Sequence, residues 1–229
     1  MYKHIFLDFD DTVYDTRRNA DEALEELYQH FRLGAYFDDF RTFSESYWKK
    51  NHEVWALYSQ GKIQRRQLII ERFLYPLQQA GTGDEKMALE LNEWFLERTS
   101  QKSALIEGAL DLLEYLHGKY KLHILSNGFT EVQFKKLKSA GVEHYFDQVI
   151  LSEQAGVNKP DPRIFDFALE KTGARREEVI MIGDNYDTDI TGAIRSRIDQ
   201  LFFNQNERFR PDVPPTYEVK RLAEIQCIL

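Results

Sequence analysis

The sequence is poor in sulfur and has no long apolar run. Cys227 is the one cysteine among 229 residues, so no disulfide can form within the chain, which fits a reducing compartment. A single cysteine so close to the last residue carries no catalytic weight. No segment approaches the roughly 20 apolar residues that span a bilayer. Ile5 to Leu7 is all the apolar sequence that precedes Asp8, which does not read as a secretory signal. The chain is therefore expected to be cytoplasmic. Positive charge is also scarce: 30 Lys and Arg stand against 38 Asp and Glu, for a formal net charge of −8. That balance argues against a nucleic-acid partner held through its phosphates. It leaves room for a small anionic substrate, because a local site can be positive on an acidic protein. The G-x-x-x-x-G-K-[ST], H-E-x-x-H and G-x-S-x-G patterns are all missing, which removes P-loop, zincin and serine-hydrolase readings.

What is present is an ordinary globular composition, 42% hydrophobic and 30% charged, with a high aromatic share of 14%. The length suits one or two domains. Residues 4–9 read as a buried strand. From Ala20 the period becomes helical through Ala23, Leu24, Leu27 and Phe31, with Asn19 as the N-cap. The helical, charged pattern runs on to about residue 101 with no strand in it, which predicts an all-helical insertion of two to four helices at 16–101. A core made of 1–15 and 102–229 then alternates. Ala109, Leu112, Leu113 and Leu116 mark a helix, and 121–126 a strand. Thr130 with Gln133 predicts a capping box at the next helix. Residues 148–152 form a strand, Asp161-Pro162 opens a helix that Gly173 closes, 178–183 is a strand, and 200–204 is the last one. Strands alternating with helices predict a parallel, Rossmann-like sheet flanked by helices. In such sheets ligands gather at the carboxyl ends of the strands.

Those ends are polar in a consistent way. The first strand runs into Asp8-Phe9-Asp10-Asp11-Thr12. In extended backbone Asp8 and Asp10 face one side, and such a pair suits a hard divalent cation or a nucleophile beside an acid/base; a solvated Asp-rich turn explains it equally well. The second ends in Ser126-Asn127-Gly128, a hydroxyl and a turn that can hold an anion or simply lead into a helix. After the third comes Lys159, held toward extended backbone by Pro160 and able to neutralise carboxylates or phosphate, or to sit in solvent. The fourth ends in Gly183-Asp184-Asn185-Tyr186-Asp187-Thr188-Asp189. Asp184 is best placed for a metal, Asp189 also suits a helix N-terminus, and Asp187 reads as solvated. Burying so many carboxylates requires a cation. Each end has a bland explanation, but four together are harder to dismiss.

"DFDDT", "SNG", "KP" and "GDNYDTD", in this order, resemble the four motifs of the haloacid dehalogenase (HAD) superfamily. The helical insertion is similar to that family's small cap. "SNGFTEVQFKKLKSAGVEHYFDQVILSEQAGVNKPDPRIFDFALEKTG" and "WALYSQGKI" further resemble its pyrimidine 5′-nucleotidase-like branch, which acts on noncanonical nucleotides. The resemblance implies a Mg²⁺-dependent phosphate monoester hydrolase working through an aspartyl-phosphate. Asp8 would be the nucleophile. Asp10 would be the general acid/base, its pKa raised by the neighbouring carboxylate. Asp8, the main-chain carbonyl of Asp10 and Asp184 would hold Mg²⁺. Ser126, Asn127, Gly128 and Lys159 would hold the phosphate, and Lys159 would also lower repulsion at Asp8. Thr12, placed with the substrate-binding set, would fix the loop around Asp10. Asp189 would support the metal or Lys159 from behind.

The cap would exclude water and select the leaving group, with Trp48, Trp55 and Tyr58 either stacking on a base or filling the helical core. The implied partner is a small phosphate monoester, a nucleotide first, with no nucleic acid and no membrane. Three rivals remain. A dehalogenase of the same fold would not need Asp10. A sugar-phosphate phosphatase or phosphomutase would use the same machinery. A non-catalytic binding module would have no use for the full acid set.

Overall fold

A computed structural model describes residues 1–205 and 213–229. The chain forms two compact units, Met1–Thr16 with Ser103–Leu229, and Arg17–Lys102.

The first unit is the expected α/β sandwich. Its strands are β1 (His4–Leu7), β2 (Lys121–Ser126), β3 (Gln148–Leu151), β4 (Val179–Gly183), β5 (Asp199–Phe203) and β6 (Tyr217–Val219), in one sheet of order β3-β2-β1-β4-β5-β6. Every pairing is parallel, with Leu7 opposite Ile124 on one side and Ile182 on the other. β1 is thus the point at which the chain's excursions change side, the place where such sheets collect ligands. The alternation of side chains builds two apolar layers. Ile5, Leu7, Phe9, Ile124, Ile180 and Ile182 pack with Leu112, Leu113 and Leu116 on one face. Phe6, Leu125 and Met181 pack with Ile164, Phe165 and Ala168 on the other.

The second unit holds four α-helices of about four to six turns, α1 (Thr16–His30), α2 (Phe40–Ser59), α3 (Arg65–Gln79) and α4 (Glu85–Ser100). α2 and α4 begin at aspartate caps: Asp39 accepts from the Thr42 N–H at 2.7 Å and Asp84 from the Met87 N–H at 2.9 Å. Leu24, Leu27, Phe43, Tyr47, Phe73, Leu77, Leu91 and Phe95 fill its core. Arg72 is buried there as well, donating to Asn92 Oδ1 and lying 5.2 Å from the Phe95 ring centroid.

Three local expectations are corrected, and of two readings left open for Trp48 the core one holds. Asn19 is not an N-cap. α1 starts at Thr16, and Asn19 is buried in the helix interior. β5 is not the last strand, because β6 adds to the sheet edge with only Val219 buried. Trp48 is buried in the helical core with its indole N–H on Asp21 at 2.6 Å, while Trp55 and Tyr58 are half-buried and meet edge to face. No capping box forms at α6 (Thr130–Ser139), which follows α5 (Ala109–Leu116) and whose cap residue is Phe129. Thr130 donates instead to Glu153, and Gln133 is drawn to a different partner, described next.

Candidate functional site

Asp8 follows β1 directly, its N–H still bonded to the Ile182 carbonyl of β4 at 2.9 Å. Its side chain meets Lys159, whose Nζ lies 2.6 Å from Asp8 Oδ1 and 2.7 Å from Asp189 Oδ1 and donates to the Leu125 carbonyl at 2.6 Å. An ammonium has three donors, so all of them are engaged. Lys159 is 2% exposed. Asn127 holds its main chain in place, accepting from the Lys159 N–H at 2.8 Å and donating to its carbonyl at 3.0 Å. Asn127 therefore fixes Lys159 with the amide that was expected to meet phosphate.

Asp184 lies at the end of β4. Gly183 before it leaves room for Asp189, because a Cβ there would collide with the Asp189 carboxylate. After β4 the chain makes a π-helical turn, Tyr186–Ile190, opened by Asn185, whose Oδ1 accepts from the N–H groups of Asp187 and Thr188. The turn delivers buried Asp189 inward and leaves Asp187 exposed, as its solvated reading required. Thr12 is fully buried, and its hydroxyl donates to Asp184 Oδ1 at 3.0 Å while accepting the Asp184 N–H at 3.1 Å. These bonds tie the loop that carries Asp10 to Asp184 and orient the Asp184 carboxylate.

One oxygen from each of Asp8, Asp184 and Asp189 lies within 4.8 Å of the others. Three carboxylates share one ammonium, which leaves an excess of negative charge in a poorly hydrated place. The consequence is visible in the acidities. Burial pushes Asp8 up to about 8, Lys159 opposes this, and Asp189 and Asp10 add to it. Burial pushes Asp184 well above the carboxylate range, reinforced by Asp8, Asp189 and Asp11, with Thr12 opposing. Lys159 is held above its ordinary value, since its two carboxylates outweigh burial. This donor set is all oxygen and carries uncompensated charge, which fits a hard divalent ion. Asp8 and Asp184 fit it better than Asp189, whose oxygens already accept from Lys159 and the Asn185 N–H.

Asp10 faces other partners. Lys136 Nζ lies 2.5 Å from its Oδ1, the Thr16 hydroxyl donates to the same oxygen at 2.8 Å, and Gln133 Nε2 donates to Oδ2 at 2.6 Å. Burial alone would raise its pKa, but Lys136, Thr16 and Gln133 together bring it below the usual value. The expectation of a raised pKa is corrected: a neighbouring carboxylate matters less than an ammonium in contact. Gln133 Nε2 also donates to Ser126 Oγ at 2.7 Å, and Ser126 Oγ accepts the Gly128 N–H at 3.0 Å. With both lone pairs used, the Ser126 O–H proton is the one left to give. Gly128 is required here, because a Cβ would run into the Gln133 amide.

The sequence brought Asp8, Asp10, Ser126, Lys159, Asp184 and Asp189 to attention, and the structure gathers them on one rim. Lys136 and Gln133 were missed. They sit three residues apart on α6, so they share a face, and both are buried. Two polar residues on the buried stripe of a helix that follows a strand-end motif were the available signal.

Among the described residues, no helix is long and apolar enough to cross a membrane. A family model described as haloacid dehalogenase-like hydrolase matches residues 2–197. Pyrimidine 5′-nucleotidase YjjG of Escherichia coli is 31% identical, over 98% of this chain and 96% of its own. Pyrimidine 5′-nucleotidase PynA of Streptococcus pneumoniae is 29% identical, over 96% and 91%. The solved structure of the HAD-hydrolase YfnB of Bacillus subtilis, bound to magnesium, superposes with a TM-score of 0.88 at 27% identity and covers 99% of this chain and 98% of its own.

Proposed function

Since the chain belongs to the haloacid dehalogenase-like hydrolase family, we propose that it is a phosphate monoester hydrolase that uses Asp8 as nucleophile and acts on nucleoside 5′-monophosphates. The observation that carries the reading is Asp8 itself. Lys159 grips Oδ1, while Oδ2 has no hydrogen-bonding partner among the described residues and stands at the strand end where a substrate would arrive. The nucleotide preference is supported by two relatives named as pyrimidine 5′-nucleotidases.

The chemistry follows from charge and position. Asp8 Oδ2 attacks phosphorus, the P–O bond to the leaving group breaks, and Asp10, entering the cycle through the minority protonated form that its lowered pKa leaves, gives that oxygen a proton. Water then attacks the phosphorus of the aspartyl-phosphate, Asp10 accepts its proton, and Asp8 is regenerated with release of phosphate. Lys159 offsets the negative charge of Asp8 and of the incoming phosphate and fixes the direction of attack. The Ser126 hydroxyl donates to a phosphoryl oxygen. Asp8, Asp184 and the Asp10 carbonyl would hold Mg²⁺, which when bound supplies charge neutralisation at the phosphoryl oxygens.

Phosphate release from a panel of monoesters in the presence of Mg²⁺ tests the reading. Release from dUMP and dTMP should exceed that from sugar phosphates, and Asp8→Asn should lower kcat on the order of 10⁴-fold or more. A sugar-led profile would refute the nucleotidase assignment. Halide release from a 2-haloacid that persists in EDTA would reject the phosphatase.

A further inference from the structure

The grip on Asp10 fixes more than its charge. A carboxylate offers about four lone pairs. On Asp10, Oδ1 accepts from both Lys136 Nζ and Thr16 Oγ1, and Oδ2 accepts from Gln133 Nε2 alone. One lone pair is left, and it is on Oδ2. The Asp10 side chain is 28% exposed, against 9% for Lys136, so Asp10 keeps some access while the lysine that grips it is enclosed.

The grips are themselves rigid. Lys136 Nζ lies 5.0 Å from the centroid of the Tyr14 ring, which stacks on Phe9 in the core. Gln133 is bridged between Asp10 and Ser126 and fits only because residue 128 is glycine. Its Oε1 is buried with no hydrogen-bond partner among the described residues. Leaving a buried acceptor unpaired is costly. The chain tolerates that cost to aim an N–H at Asp10, which an alternative apolar side chain at this buried position would not do.

Resting on the phosphatase reading above, we propose that Lys136 and Gln133 are positioning residues: they aim Asp10 so that the proton given to the leaving oxygen, and later taken from water, passes through the open lone pair of Oδ2. Neither side chain is placed against the substrate; Lys136 acts through Asp10, and Gln133 acts through Asp10 while also bonding Ser126.

The test is a comparison of leaving groups. The 5′-alkoxide of dUMP departs poorly without a proton, whereas p-nitrophenolate departs without one. Misaiming the acid should therefore harm the first and spare the second. In Lys136→Met, kcat/KM for dUMP should fall about 30-fold or more while that for p-nitrophenyl phosphate falls less than about threefold, within the range that proton transfer contributes. Lys136→Arg, which keeps a donor and a charge, should recover most of the loss, and Gln133→Leu should show the same selective defect. Equal losses on both esters, or no loss on either, in variants that melt like the wild type would overturn the proposal. Should Lys136→Met fail to fold, Gln133→Leu and Lys136→Arg decide it by the same ratio. A wild-type enzyme that frees phosphate from neither ester would instead remove the phosphatase reading beneath it.

Discussion

Two buried lysines meet carboxylates on the same sheet rim, and the carboxylates respond in opposite ways. Around Lys159, burial makes Asp8 and Asp184 harder to ionise; Lys159 is divided between Asp8 and Asp189 and meets no oxygen of Asp184 among the described contacts. Around Lys136, burial pushes Asp10 the same way, but an ammonium, a hydroxyl and an amide converge on it and make it easier to ionise. The lysines are alike in chemistry; how much positive charge and hydrogen bonding each buried carboxylate receives decides the outcome. The first region has negative charge to spare and invites a cation. The second is neutral and serves to orient.

The largest expected difference is in stability. Lys159→Met leaves buried carboxylates uncompensated and should cost about 3–5 kcal/mol in urea denaturation without metal. Lys136→Met, beside a more exposed acid, should cost about 1.5 kcal/mol. Equal losses would erase the contrast. Next is the effect of the ion. Mg²⁺ at 100 times its Kd should stabilise the wild type by about 2.7 kcal/mol, seen as a rise in melting temperature. In Asp184→Asn that rise should shrink sharply, while the metal-free variant should melt higher than the metal-free wild type because a buried like charge is gone.

The last contrast is in pH. Asp8 has a folded pKa above its unfolded value, so its contribution is complete below pH 3.8 and is lost as pH rises toward about 8. Asp10 has a lowered one, so its contribution is present above pH 3.8 and fades on acidification below it. Metal-free wild type should thus lose stability between pH 5 and 8, and Asp8→Asn should flatten that slope. An unchanged slope in the variant would place the effect elsewhere.

Much of this was legible in the chain. The strands were, because each is an apolar run cut off by polar residues, and the acids at their ends stood out because burial there demands an explanation. β6 was not, since of Tyr217, Glu218 and Val219 only Val219 is buried and the strand is short. Gln133 misled because Thr130 and Gln133 satisfy the spacing of a capping box. Local spacing cannot report that a carboxylate 123 residues earlier binds the glutamine more strongly. The Thr12 hydroxyl likewise finds its partner 172 positions away. What the sequence hid in each case was a choice between a near partner and a distant one.

One detail of the backbone has a wider consequence. Where the chain departs for the helical unit and where it comes back, residues 13–15 and 104–106 are stitched together: the Asp15 N–H reaches the Ala104 carbonyl at 3.0 Å and the Ile106 N–H reaches the Val13 carbonyl at 2.9 Å. The two ends of the insertion are already neighbours, so the α/β unit closes its own seam without help from the helices. A short turn joining residue 16 to residue 103 would bridge that gap with little entropic penalty. Chain of other lengths could be joined at that seam without disturbing the strand ends that carry the acids.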